Sequence, residues 1–89
     1  MTVSEGSITV RVRIGGEEYP VKGDASVEYI RTLACVVDSR MKDIHQKNPN
    51  LNRQRIAVLV ALNLADEIEK VRAEYRELLQ IVEEANQTR

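Results

Sequence analysis

From Ser7 to Ile14 apolar and polar residues alternate strictly. Ile8, Val10, Val12 and Ile14 fall on one face, and Thr9, Arg11 and Arg13 on the other. A period of two is that of a half-buried β-strand. Gly15-Gly16 can supply the positive φ angles of a two-residue hairpin turn, after which Tyr19 and Val21 return on the apolar side. Pro20 lacks the N–H needed for a ladder bond, so the second strand is expected at an edge or to end early. Such a ribbon is marginal alone and needs a cover.

The period then changes to that of a helix. Gly23-Asp24 breaks the strand, and the Ser26 hydroxyl is suited to accept from the unpaired amides of a first helical turn. Helix one is predicted to run to about Gln46, with Ile30, Ala34, Val37, Met41 and Ile44 forming one apolar stripe. Residues 47–52 read as a turn: Pro49 disfavours helix at Asn48, and Asn52 can cap a second helix.

That second helix is predicted from near Arg53 onward, since no Gly or Pro occurs after Pro49. About 34 residues at 1.5 Å each would span about 50 Å, whereas a compact chain of this size is roughly 30 Å across. The helix must therefore protrude. Its distal part keeps a heptad, with Ala61, Ile68, Tyr75 and Val82 at one core position and Leu64, Val71, Leu78 and Ala85 at the other. That seam needs partner helices, so a coiled-coil oligomer of this chain is expected. Leu79 and Ile81 widen the apolar face beyond a two-helix seam and point to a tetramer. Glu67 and Arg72 are spaced for an interchain pair in a parallel coil. The run Ile56-Ala-Val-Leu-Val-Ala-Leu62 is apolar on every side, and is expected to be enclosed by the hairpin, helix one and a second subunit.

These elements predict an α+β fold: residues 1–6 as a flexible N-terminus, 7–65 as a head of hairpin, helix one and the start of helix two, and 66–89 as a coiled-coil extension. The chain has 89 residues, room for one small domain whose core would be marginal without an oligomer partner. Cys35 is the sole cysteine and His45 the sole histidine, which excludes an intrachain disulfide and argues against structural zinc. No metal or cofactor is expected. The first six residues are polar and include an acid, unlike a secretory signal, and the longest apolar run has seven residues. A membrane span needs roughly 20. A soluble protein is expected.

The net charge of −1 conceals an uneven distribution. Residues 1–65 carry nine bases and seven acids, whereas 66–89 carry four bases and seven acids. Within 40–55 five bases, Arg40, Lys42, Lys47, Arg53 and Arg55, face only Asp43. Arg40, Lys42 and Lys47 complement the C-terminal dipole of helix one, but Arg53 and Arg55 open helix two, where the dipole disfavours cations. Lacking a stability rationale, those two point to binding of something acidic. His45 reads as a solvated helix-end residue, and Cys35 as a small, partly buried filler. Asn63 and Asp66 either hydrogen-bond across a head interface or face solvent. No catalytic constellation emerges, so an enzyme is not expected.

The opening strand with its Gly-Gly turn, Glu28-Tyr29-Ile30, Asn48-Pro49, and above all Arg55-Ile-Ala-Val-Leu-Val-Ala-Leu-Asn-Leu-Ala-Asp-Glu67 resemble the ZapA cell-division proteins over nearly the whole chain. The resemblance implies a non-enzymatic cytoplasmic bacterial protein, acting at the mid-cell division site. It would bind and cross-link filaments of FtsZ, the tubulin-like GTPase. On that reading Arg40, Lys42, Lys47, Arg53 and Arg55 contact FtsZ, while Ala61, Leu64, Ile68, Val71, Tyr75, Leu78 and Val82 join copies of the chain. Nucleic acid and membrane are not expected partners.

Two other classes fit less well. A helix-turn-helix nucleic-acid binder would use the bases around residues 47–52, but that patch is small and the distal segment is acidic. A small helical mutase of the chorismate type would need cations inside a helical pocket, and the core stripe carries none.

Overall fold

In the computed structural model, which describes residues 8–87, strand β1 (Ile8–Ile14) and strand β2 (Glu17–Gly23) form an antiparallel hairpin. Helix α1 (Val27–Lys47) comes next, and then helix α2 (Arg53–Gln87). The expected flexible segment 1–6 and the strand start at Ser7 lie outside the described residues. Val10 pairs with Val21 and Val12 with Tyr19, so the apolar side chains share one face as their alternation requires. In a ribbon of two strands both strands are edges, and Pro20, opposite Arg11, is accommodated without ending β2 early.

Helix α1 begins at its predicted cap: the Tyr29 N–H donates to the Ser26 hydroxyl at 3.1 Å. It ends where Asn48 precedes Pro49, the Asn48 N–H still reaching the Ile44 carbonyl at 2.9 Å. Asn52 caps α2, its side-chain oxygen accepting from the Arg55 N–H at 2.9 Å.

Two small cores hold these elements together. Val10, Val12, Ile30 and Ala34 join the hairpin to α1, with Ile30 only 2% exposed. Met41, Ile56 and Val60 join α1 to α2. Ile14 packs against both clusters, so the hairpin tip is tied to the helix pair. All five positions of the predicted α1 stripe take part, Val37 and Ile44 from the margin.

One expectation needs correction, and another is met in part within a single chain. Of the run from Ile56 to Leu62, Ile56 and Val60 are buried, while Val58 is 54% and Leu62 61% exposed, leaving the side that was expected to meet a second subunit. Helix α1 meets only one stripe of α2, since two crossing helices touch along ridges rather than around a circumference. Cys35 is exposed rather than partly buried, because it follows Ala34 by about 100° around the helix and leaves the buried stripe.

Beyond the head α2 extends past the other described elements. The principal extents are 57 × 36 × 16 Å and the radius of gyration is 17.8 Å, against about 12 Å for a compact chain of this length. The protrusion predicted from helix length is thus present.

Candidate functional site

Of the five predicted bases, Lys42 and Arg53 meet at one corner, where the hairpin turn, the end of α1 and the start of α2 come together, whereas Arg55 lines a separate groove with Leu51, Asn52 and Val58, and Arg40 reaches Glu67 farther along α2. Gly15 and Gly16 have φ of 60° and 84°, both in the left-handed region, as a type I′ turn requires. The turn is fastened to α1 by Asp38, whose Oδ1 accepts from the Gly15 N–H at 2.8 Å. Lys42, one helical turn on, donates to the other carboxylate oxygen at 3.0 Å. The Gly15 N–H, and secondarily Lys42, hold the Asp38 carboxyl below its usual pKa.

Each of two further bases crosses between elements to reach an acid. Arg53 at the first turn of α2 pairs with Glu17 at the start of β2, and the Tyr19 hydroxyl donates to Glu17 Oε2 at 3.1 Å. That hydrogen bond to an anion raises the Tyr19 pKa, assisted by partial desolvation. Arg40 spans from α1 to α2 and makes a forked pair with Glu67, one arm of 2.9 Å. The hydrogen bonds raise the Arg40 pKa and lower that of Glu67.

These pairs revise the charge reading. Asp38, Glu67 and Glu17 stand outside the 40–55 window yet neutralise three of its five bases. Arg53 therefore does have a structural role, contrary to expectation: its pair with Glu17 ties the start of α2 to the hairpin turn. Lys47 and Arg55 take part in no side-chain ion pair among the described residues and are exposed. The Lys42 pair is readable from its i,i+4 spacing, but the other two partners are distant in sequence and no local pattern announces them.

Between these elements lies a groove of about 490 Å³. Met41, Leu51 and Ile56 line it together with Lys42, His45 and Arg53. His45 is exposed there, as expected for a helix-end residue. The groove holds no nucleophile beside a base. Among the described residues, no group of three or more His, Cys, Asp or Glu side chains could hold a metal ion, and no helix is long and apolar enough to cross a membrane.

The second candidate surface is the predicted seam of α2. Ile68, Val71, Tyr75, Leu78 and Val82 are 48–63% exposed in the single chain, while Leu64, nearer the head, packs against the second core. Leu79 and Ile81, 44% and 60% exposed, widen this face. Ala61 is exposed as well. Glu67 and Arg72 are engaged within the chain, with Arg40 and with Glu69 at 3.3 Å, rather than standing ready for an interchain pair. Asp66 salt-bridges Lys70 at 2.8 Å, and Asn63 is exposed in the single chain.

Comparison with known proteins gives a consistent answer. The family model described as "Cell division protein ZapA" matches residues 10–88. A cell division protein ZapA of Geobacillus sp. (strain WCH70) is 41% identical over 71 residues, covering 80% of this chain and 82% of that protein. The Bacillus anthracis protein of the same name is 39% identical over 69 residues, 78% of each. Among solved structures, a ZapA mutant dimer from Geobacillus stearothermophilus aligns with a TM-score of 0.71 at 32% identity, covering 93% of this chain and 96% of that one. By sequence, by fold and by the arrangement of hairpin, short helix and long helix, this chain belongs to the ZapA family of cell division proteins.

Proposed function

We propose that this chain acts in the cytoplasm at the mid-cell division site as a non-enzymatic cross-linker of FtsZ filaments. In this reading residues 7–65 act as the filament-binding head, and residues 66–89 carry the oligomerising extension. The observation that carries it is the exposed apolar seam, from Ile68 to Val82, on an extension that runs past the other described elements. A helix exposing Val71, Tyr75, Leu78 and Val82 on one face is stable in water only with that face against another helix. A second copy supplies an identical seam, and the wider face at Leu79 and Ile81 accommodates four helices.

Oligomerisation repeats the head, so weak single contacts become a multivalent attachment. Lys47 and Arg55, the two bases of residues 40–55 without an ion pair among the described residues, make the principal contacts to acidic FtsZ surface. Arg40, Lys42 and Arg53 contribute to the same field while tying the elements of the head to one another. The reading is tested by co-sedimentation with GTP-polymerised FtsZ at low and near-physiological salt, beside a lane lacking GTP. Lys47→Glu/Arg55→Glu is expected to abolish polymer-dependent pelleting and bundling with its oligomer intact. Undiminished bundling by that variant would refute the assignment of these two bases. Failure of the unaltered protein to pellet with polymer would refute the function itself.

A further inference from the structure

The two edges of the hairpin are not equivalent. Antiparallel pairs alternate between those that exchange both ladder bonds and those whose N–H and C=O point outward. The two-residue turn makes Ile14 and Glu17 a bonded pair, so Val12–Tyr19 and Val10–Val21 are bonded as well. Arg13–Glu18, Arg11–Pro20 and Thr9–Lys22 then point their backbone groups outward. On β2 the outward row is interrupted at its centre by Pro20, which has no N–H. On β1 the row Thr9, Arg11, Arg13 is complete.

Beside this β1 edge runs a groove of about 210 Å³, walled on one side by β1 and on the other by Arg31, Ala34 and Cys35 of α1. Its two walls carry different chemistry. Ala34 and the exposed Cys35 leave space for small apolar side chains. Arg31 has no side-chain partner among the described residues. Asp38, at one end, is already engaged by the Gly15 N–H and Lys42. On the solvent face of the hairpin Arg11, Arg13 and Lys22 stand against Glu18 alone, which binds Arg11 at 3.2 Å and lies 3.9 Å from Arg13. The surroundings of the open edge are therefore positive.

We propose that the outer edge of β1 docks an extended acidic peptide segment of a partner protein, which adds to the hairpin as a third strand. Its backbone would bond to Thr9, Arg11 and Arg13. Its acidic side chains would lie beside Arg11 and Arg13, and the alternate small apolar ones over Ala34 and Cys35. A two-stranded sheet gains most from such an addition, because a third strand moves a marginal ribbon toward independent stability. The site lies on the hairpin flank rather than beside Lys47 or Arg55, and does not depend on the role assigned to those two bases.

The test uses the unaltered full-length protein and a synthetic, end-capped heptapeptide of alternating glutamate and valine. Two versions carry N-methyl groups, one at odd and the other at even backbone nitrogens. Binding is followed by fluorescence anisotropy, and amide hydrogen exchange reports the edge. The parent peptide is expected to bind and to slow exchange at Thr9, Arg11 and Arg13 at least tenfold. One methylated version should bind at least tenfold more weakly than the other, because only alternate nitrogens face β1. Arg11→Glu/Arg31→Glu should weaken the parent peptide at least tenfold. Equal binding of both methylated peptides, or absence of binding at millimolar peptide, would overturn the proposal. So would amides already protected without peptide, which would mean that a second copy of the chain covers the edge. The peptide comparison leaves the protein unaltered, so its outcome does not depend on any variant folding.

Discussion

Replacing Leu78 by alanine tests the seam most directly. The side chain is 57% exposed in the single chain. Full burial of a leucine is worth about 1.5–3 kcal/mol, so closing the remaining surface is worth about 0.9–1.7 kcal/mol for each copy. In a dimer two copies lose it together, about 2–3 kcal/mol, and any cavity left behind adds to the loss. Since each 1.4 kcal/mol is a factor of ten, dissociation should become roughly 30- to 150-fold easier. Sedimentation equilibrium over a wide range of protomer concentration reads this shift, with helix content by circular dichroism at high concentration as the folding control. Gln80→Ala, two residues on and off the heptad core, should leave dissociation unchanged. Equal behaviour of the two variants would refute the placement of Leu78 in the interface.

Three further substitutions probe the head, each measured by urea unfolding at fixed protomer concentration. Gly15→Ala should destabilise more than Gly16→Ala: both residues have positive φ, costing a side chain about 1–2 kcal/mol, but a Cβ at Gly15 would also lie 3.1 Å from Met41 Cε while one at Gly16 meets nothing within 4 Å. The reverse order would mean that the turn does not pack on α1. Asp38→Asn should flatten the acid limb of the pH–stability curve. The folded-state pKa of Asp38 is lowered, so its contribution is complete above about pH 4 and is lost as pH falls through that lowered value. Glu67, shifted the same way, leaves a residual slope. An unchanged slope in the variant would refute the role given to the Gly15 contact.

The elements are legible in the sequence because each rests on local rules. Alternation places β1, Gly15-Gly16 places the turn, Ser26 and Asn52 place the helix starts, and Pro49 fixes the end of α1. The protrusion of α2 comes from length alone. The state of the corner is not legible, because an ion pair between Arg53 and Glu17, or between Arg40 and Glu67, depends on how separate elements pack. A charge count over a sequence window assigns to solvent what the fold assigns to a neighbour. The part of Ile56–Leu62 covered within one chain is illegible for a related reason: composition shows that a surface is apolar, but only geometry shows which side of it one short helix can reach. Cys35 lies in a helix whose buried stripe the spacing places correctly, one position away from that stripe.

Helix α2 is a single uninterrupted element from the Asn52 cap to Gln87, with Ile56 and Val60 in the head core and Leu78 and Val82 far from it. No glycine or proline breaks it, and the Arg40–Glu67 fork braces it where it leaves α1. The joint between head and extension is therefore a shaft rather than a tether. Its azimuth is fixed as firmly as its length, about 100° of rotation and 1.5 Å of travel per residue. A flexible linker would give two joined heads a broad distribution of separations. A shaft gives them one bearing and one distance, so the direction in which each head faces is already encoded in the phase of the heptad.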